Sequence, residues 1–154
     1  MPGDLRVEEL AYLAGLFDGE GSLGLKRYKP KGKNAHVRID PRVSVTNTRL
    51  ELVEPFQKAF GGSVYHQKRS LVWQEVNSWE ALSSNAISCI KALLPYLREP
   101  KKREAADWIL YFWENRSLST EAGYHSGRNP VPGEEMSWRL EIFNRVKILN
   151  LRGV

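Results

Sequence analysis

A chain of 154 residues, 42% apolar and 27% charged, has the size and balance of one ordinary globular domain with a real hydrophobic core. It contains no apolar run of about 18 residues that would span a membrane, its first residues lack the apolar segment of a secretory signal, and the lone Cys89 excludes an internal disulfide or a cysteine-rich zinc site. The net charge of +5 is modest, so its placement along the chain matters more than its size. A reducing, intracellular setting is expected.

The first predicted element is a helix from near Asp4, a residue of the N-cap type, to about Asp18. At about 100° per residue, Leu10, Leu13, Ala14 and Phe17 form an apolar stripe, and Tyr12, Gly15, Leu16 and Gly19 form an uncharged opposite side. A helix apolar on two faces must be buried on two faces. The stripe can cover the chain's own sheet. The glycine side invites close approach by another helix, and the same helix in a second copy is the expected partner.

After the acidic turn Asp18-Gly19-Glu20-Gly21, residues Ser22, Gly24, Lys26 and Tyr28 alternate with Leu23, Leu25 and Arg27, predicting a strand with a polar face. Lys29 to Asn34, with Pro30 and Gly32, reads as a loop. In the next strand Val37, Ile39, Val43 and Val45 point one way, and Arg38, Asp40, Arg42, Ser44 and Thr46 the other. Pro41 marks it as an edge or bulged strand. From Lys26 to Arg49, the basic residues Lys26, Arg27, Lys29, Lys31, Lys33, Arg38, Arg42 and Arg49 face the single acid Asp40, an electrostatic footprint for phosphates.

Thr48 to Glu51 has capping-box spacing and opens a helix that Gly61 and Gly62 stop. A second hairpin is expected over roughly Val64 to Lys68 and Leu71 to Val76, turning near Arg69 and Ser70. Its facing stays open by one residue, with either Trp73 or Gln74 outward. Asn77 to Glu80 predicts another capping box, opening a helix that ends before Pro95. Pro100 suits the first turn of the next helix, where Ala105, Trp108, Ile109 and Phe112 share a face. Trp108, Trp113 and Trp138 read as packing residues. Residues 117 to 133 read as a polar loop, and a last helix from about Glu134 to Leu149 buries Met136, Leu140, Phe143 and Val146. The expectation is an α+β fold of αββαββα order, with a four-stranded antiparallel sheet, helices on one face and basic residues on the other. One domain spans 1–154, with a core of about 5–115 and a helical extension of about 134–150.

Leu13-Ala14-Gly15-Leu16-Phe17-Asp18-Gly19-Glu20-Gly21 resembles the signature of the LAGLIDADG homing endonucleases, matching it at Leu13, Ala14, Gly15, Leu16, Asp18 and Gly21. The resemblance covers about residues 5 to 115 and implies a saddle-shaped sheet over the major groove of double-stranded DNA, a groove that admits a two-stranded ribbon. It implies a site-specific endonuclease that cuts both strands of a long, near-palindromic site across the minor groove, leaving short 3′ overhangs. With one motif in the chain, the implied assembly is a homodimer with Tyr12, Gly15, Leu16 and Gly19 at its interface. A pseudo-symmetric monomer would need a second motif.

Phosphodiester hydrolysis needs an activated water, an in-line leaving oxygen and neutralised charge at phosphorus, and two divalent ions about 4 Å apart provide all three. The expected cofactor is Mg²⁺, with Mn²⁺ as a substitute, because such cations take carboxylate, carbonyl and water oxygens. One chain offers the Glu20 carboxylate and the Gly19 carbonyl once, which is half of such a site. The resemblance implies that Glu20 holds the metal and that Asp18 caps or orients helix ends. It carries Asn47 over as the residue that places the water, although Asn47 equally suits an N-cap. It also carries over a lysine after Pro95-Tyr96-Leu97 as the contact to the reacting phosphate. That lysine is Lys101, with Lys102 as competitor because the segment runs a residue longer. Some relatives have a basic residue where this chain has Glu51, which leaves the basic pocket to Lys101 and Arg49.

Candidates for base contacts are Ser22, Lys26, Tyr28, Arg38, Asp40, Arg42, Ser44, His66 and Lys68, while Lys29, Lys31 and Lys33 suit phosphates. His36, His66 and His125 lack metal-ligand spacing. A rival class keeps the fold without cutting, either a group I intron maturase, whose partner would be intron RNA, or a DNA-binding regulator. Intein splicing is disfavoured because the chain lacks a Cys or Ser start and a His-Asn end.

Overall fold

The computed structural model describes residues 4–28, 37–68, 75–116 and 133–151. Helix α1 (Val7–Glu20) passes directly into strand β1 (Gly21–Tyr28), followed by β2 (Arg38–Asn47) and helix α2 (Leu50–Phe60). Strands β3 (Ser63–Lys68) and β4 (Glu75–Leu82) lead into α3 (Ser83–Leu93), a short 3₁₀ turn (Leu94–Tyr96), α4 (Pro100–Asn115) and α5 (Gly133–Leu149). The four strands form one antiparallel sheet in the order β1-β2-β4-β3, the α+β architecture read from the sequence. No helix among the described residues is long and apolar enough to cross a membrane.

Register divides the sheet into two faces, because directly paired residues point the same way. The row Gly21, Val45, Trp79, Val64 belongs to the helix-covered face, and the row Ser22, Ser44, Glu80, Ser63 to the open one. Leu23, Val43, Val45, Trp79 and Ala81 are buried from the sheet side, against Leu13 and Phe17 of α1, Phe56 of α2, Ile90 of α3 and Ile109 of α4. Fully burying a side chain of this size contributes about 1.5–3 kcal/mol. Trp79 is the centre. Phe56 stacks on it at 5.2 Å, and its indole N–H donates to the Gly61 carbonyl at 2.7 Å, so no polar group is stranded.

Two glycines are obligatory for close approach. A Cβ on Gly21 would run into the Phe17 ring where α1 turns into β1. Gly62 has φ 91°, and a Cβ there would strike the Glu80 carbonyl.

Several expectations are corrected. The N-cap position of α1 is Arg6 rather than Asp4, with no side-chain cap, and Glu8 and Glu9 instead complement the helix dipole in the first turn. Strand β2 is interior, not an edge. It tolerates Pro41 because β4 ends opposite Arg42, so the β2–β4 ladder asks nothing of the missing N–H. The Thr48 capping box does not form, since α2 starts at Leu50 and the Asn47 side chain caps the turn instead. The Asn77 box fails for a different reason. Asn77, Trp79 and Ala81 alternate buried with half-buried neighbours, and this period of two makes residues 75–82 a strand. Ser83, at φ 52°, then turns that strand straight into α3. The most buried residues of α5 are Arg139, Ile142 and Val146, with Met136, Leu140 and Phe143 only partly buried. An arginine sits at a core position there because Glu135 one turn earlier pairs with it at 3.2 Å. Trp138 stacks on Phe112 at 5.9 Å, so α5 packs on α4. The turn at Arg69 and Ser70, the facing of Trp73 and Gln74, and the 117–132 segment lie outside the described residues.

Candidate active site and nucleic-acid face

At the end of α1 the Phe17 carbonyl still takes the Gly21 amide, while the later carbonyls have no helical partner. Lys102, in the first turn of α4, reaches across to them. Its Nζ donates to the Phe17 carbonyl at 3.1 Å and to that of Asp18. In return the Asp18 carboxylate accepts the backbone amides of Arg98 at 2.9 Å and Glu99 at 3.2 Å. Glu99 is the N-cap of α4 and accepts the Lys102 amide at 2.6 Å. Burial lowers the Lys102 ammonium below its usual range, and Glu99, Asp18 and Glu20, in that order, pull it back. Asp18 is therefore a structural carboxylate, as the resemblance implied.

The clasp sets the wall of a cleft of about 740 Å³ lined by Gly19, Glu20, Ser22, Ser44, Thr46, Glu99, Lys101 and Lys102, and closed at one side by Leu149, Asn150 and Leu151. Glu20 and Lys101 are both exposed in it. Among the described residues no three His, Cys, Asp or Glu side chains cluster as a metal site. What one chain supplies is a carboxylate and peptide oxygens at the electronegative end of a helix, a hard-oxygen donor set that suits Mg²⁺ but is incomplete alone.

Asn47 does not line this cleft. Its Oδ1 accepts the Arg49 amide at 2.9 Å, closing the turn before α2 without being its N-cap, which is Arg49, and it lies on the helix-covered face. Arg49 is exposed outside the cleft.

The open sheet face carries Ser22, Lys26 and Tyr28 from β1 and Arg38, Asp40, Arg42 and Ser44 from β2, the residues expected there. They are not independent. Arg42 Nε donates to Glu80 Oε2 at 2.7 Å, and Lys26 Nζ lies 3.8 Å from Glu80 Oε1. Arg38 Nη2 is 2.6 Å from Asp40 Oδ2, an ion pair without hydrogen-bond geometry, and Arg38 Nε has no hydrogen-bond partner among the described residues. Lys26 and Arg38 each lie 5.1 Å from the Tyr28 ring. Burial first, and then the Asp40 carboxylate, raise the Tyr28 phenol above its ordinary value, so it stays a neutral donor.

His66 and Lys68 are corrected. They share the face of Asn77, not of Arg42, and His66 Nδ1 contacts Asn77 Oδ1 at 2.5 Å. The residues that β3 presents to the open face are Ser63, Tyr65 and Gln67. Thr46, read on this face from the alternation of β2, was not among the expected base contacts, and Ser78 and Glu80 were missed, although alternation around Trp79 would have placed them. Lys29, Lys31, Lys33 and His36 lie outside the described residues.

On α1 the face of Tyr12, Gly15 and Gly19 points outward. Tyr12 is 55% exposed, Leu16 is half-buried, and a Cβ added at Gly15 or Gly19 would meet nothing within 4 Å.

The family model described as LAGLIDADG endonuclease matches residues 13–111. No curated protein sequence matches the chain. Among solved structures, the homing endonuclease I-CvuI in complex with its target in the presence of calcium is similar at 18% identity and TM-score 0.71, over 96% of this chain and 84% of that one. The group I intron-encoded homing endonuclease I-CeuI complexed with DNA gives 17% identity and TM-score 0.72, over 98% and 70%. An archaeal intron-encoded homing endonuclease, I-Vdi141I, complexed with DNA, gives 14% identity and TM-score 0.60, over 96% and 87%.

Proposed function

The chain belongs to the LAGLIDADG endonuclease family, and from that premise we propose that it is a site-specific endonuclease that binds a near-palindromic DNA duplex as a homodimer and hydrolyses one phosphodiester in each strand. The observation that carries this reading is the convergence of Glu20, Lys101 and the end of α1 in one open cleft at the margin of the basic sheet face.

The uncovered glycine face of α1 supports the dimer, because a second copy brought against it sets two Glu20 carboxylates side by side. Glu20 and the Gly19 carbonyl of each copy would then hold the divalent ions. When bound, those ions neutralise charge at phosphorus and make a water nucleophilic. The protein's own part is positioning. Asp18 and Lys102 fix the α1 end against α4, and Lys101, exposed in the cleft, can turn its ammonium to a phosphate oxygen. The sheet face holds the duplex in register, and Asn47, off the cleft, is assigned to the turn that leads into α2.

The test is selection of cut duplexes from a randomised library with Mg²⁺. A recovered near-palindromic site cut on both strands with a short 3′ stagger is the expected result. Random nicking, or no product in Mg²⁺ or Mn²⁺, would overturn it.

A further inference from the structure

Glu80 is an acid in the middle of a face that meets a polyanion, and electrostatics alone disfavours it there. Its surroundings explain it. The Glu80 side chain is only 15% exposed, while Arg42 and Lys26, which flank it from two other strands, are 42% and 39% exposed. The acid lies beneath and the cations stand above. Glu80 takes Arg42 at Nε, the inner nitrogen of the guanidinium, and neither outer nitrogen has a hydrogen-bond partner among the described residues, their donors being directed together. That outer edge matches guanine O6 and N7 in the major groove. A guanidinium already anchored loses less freedom on binding than one on a free stem. Arg38 is arranged differently. Its Nη2 is held by Asp40 and its Nε is buried, so the same outer edge is already occupied.

We infer that Arg42, preset by Glu80, is a specificity-determining residue that reads a guanine at one fixed position in each half of the DNA target, and that Arg38 reads none by this fork. The inference rests on the proposed function, which makes the open face the DNA-binding one. Glu80 acts through Arg42 and is a positioning residue.

The experiment selects bound duplexes, without cleavage, from a randomised library in Ca²⁺. The wild-type dimer is compared with Arg42→Ala, Arg42→Lys, Glu80→Gln and Arg38→Ala, each first checked for an unchanged circular dichroism spectrum and melting temperature. Recovery of a defined site by the wild type tests the proposed function on its own, and only the variants test the inference. Arg42→Ala should lower guanine preference at one symmetric pair of positions by roughly tenfold or more while leaving the others intact. Arg42→Lys should lose most of that preference despite keeping the charge, because the fork is gone. Glu80→Gln should weaken the same positions and no others, and Arg38→Ala should spare them.

A loss spread evenly over the site, with the salt-dependence slope reduced by about 1.8 for the two copies, would make Arg42 a phosphate contact and overturn the assignment. An unchanged preference in Arg42→Ala, or guanine reading fully kept by Arg42→Lys, would overturn it as well.

Discussion

Asp18 and Lys102 hold each other's helices. The Asp18 carboxylate takes the amides at the entrance of α4, and the Lys102 ammonium takes the carbonyls at the exit of α1, Asp18's own among them. Two elements some eighty residues apart are thereby locked where Glu20 leaves the motif helix. The adjacent lysines consequently have different duties. Lys102→Met leaves the Asp18 carbonyl without its donor, while that of Phe17 keeps the Gly21 amide, and should lower stability by about 1–2 kcal/mol, after allowance for its partial exposure. Lys101→Met should leave the urea midpoint within error and lower kcat instead. Equilibrium unfolding and single-turnover cleavage on the selected site separate the two effects.

Gly15 tests the assembly. A side chain there meets nothing within one chain, so Gly15→Arg should fold as well as wild type, with about 0.5–1 kcal/mol gained by replacing a helical glycine. At the proposed dimer contact the same arginine cannot fit, and the dissociation constant should rise by roughly a hundredfold, about 2.7 kcal/mol. Sedimentation equilibrium reads the change directly. An unaltered oligomeric state would place the interface elsewhere.

How much of this was legible in the sequence depended on which signals were redundant. The motif helix and the αββαββα order each had periodicity, turn residues and resemblance in agreement and stand, although α1 runs on through Gly19 and Glu20, read as a turn, straight into β1. The Asn77-Ser78-Trp79-Glu80 segment had two conflicting signals, capping spacing and alternation. Alternation won because a fully buried Trp79 contributes far more than a cap. The error carried over to Glu80, which was removed from the sheet face, and to His66 and Lys68, which were given to it. The exchange of long-range partners between Asp18 and Lys102 could not be read at all, since no local spacing links residues that meet only through tertiary packing. Arg139 in the core is the same lesson for α5, because an arginine breaks the apolar stripe unless its partner Glu135 is counted with it.

Cys89 gives the stability a defined pH dependence. Burial pushes its thiol well above the ordinary value of 9.0, so as pH rises the unfolded chain releases this proton before the folded one does. Its contribution is complete below the ordinary thiol value and declines above it, by up to about 1.4 kcal/mol per pH unit. Urea unfolding at pH 7 and pH 10 should therefore show the wild type losing more stability than Cys89→Ala. Equal losses in the two proteins would mean that the thiol is accessible.

The end of α5 is joined to the edge strand by Asn150, whose Nδ2 donates to the Leu23 carbonyl at 2.8 Å. Asn150→Ala should cost about 1 kcal/mol. Amides over residues 140–149 should exchange faster in the variant, while those of α3 hold. If α5 exchange is unaffected, its docking rests on its other packing against α4 and β1.

The central claim is that Glu20 belongs to the chemistry rather than to the fold or to DNA binding. Glu20→Gln keeps the shape of an exposed side chain and removes the charge needed to hold a divalent ion. On the selected duplex in Mg²⁺, cleavage should fall by more than about a hundredfold, with the melting temperature and the affinity measured in Ca²⁺ close to wild type. Undiminished cleavage by Glu20→Gln would contradict the account, as would a wild-type protein that binds its selected site yet cuts neither strand in Mg²⁺ or Mn²⁺.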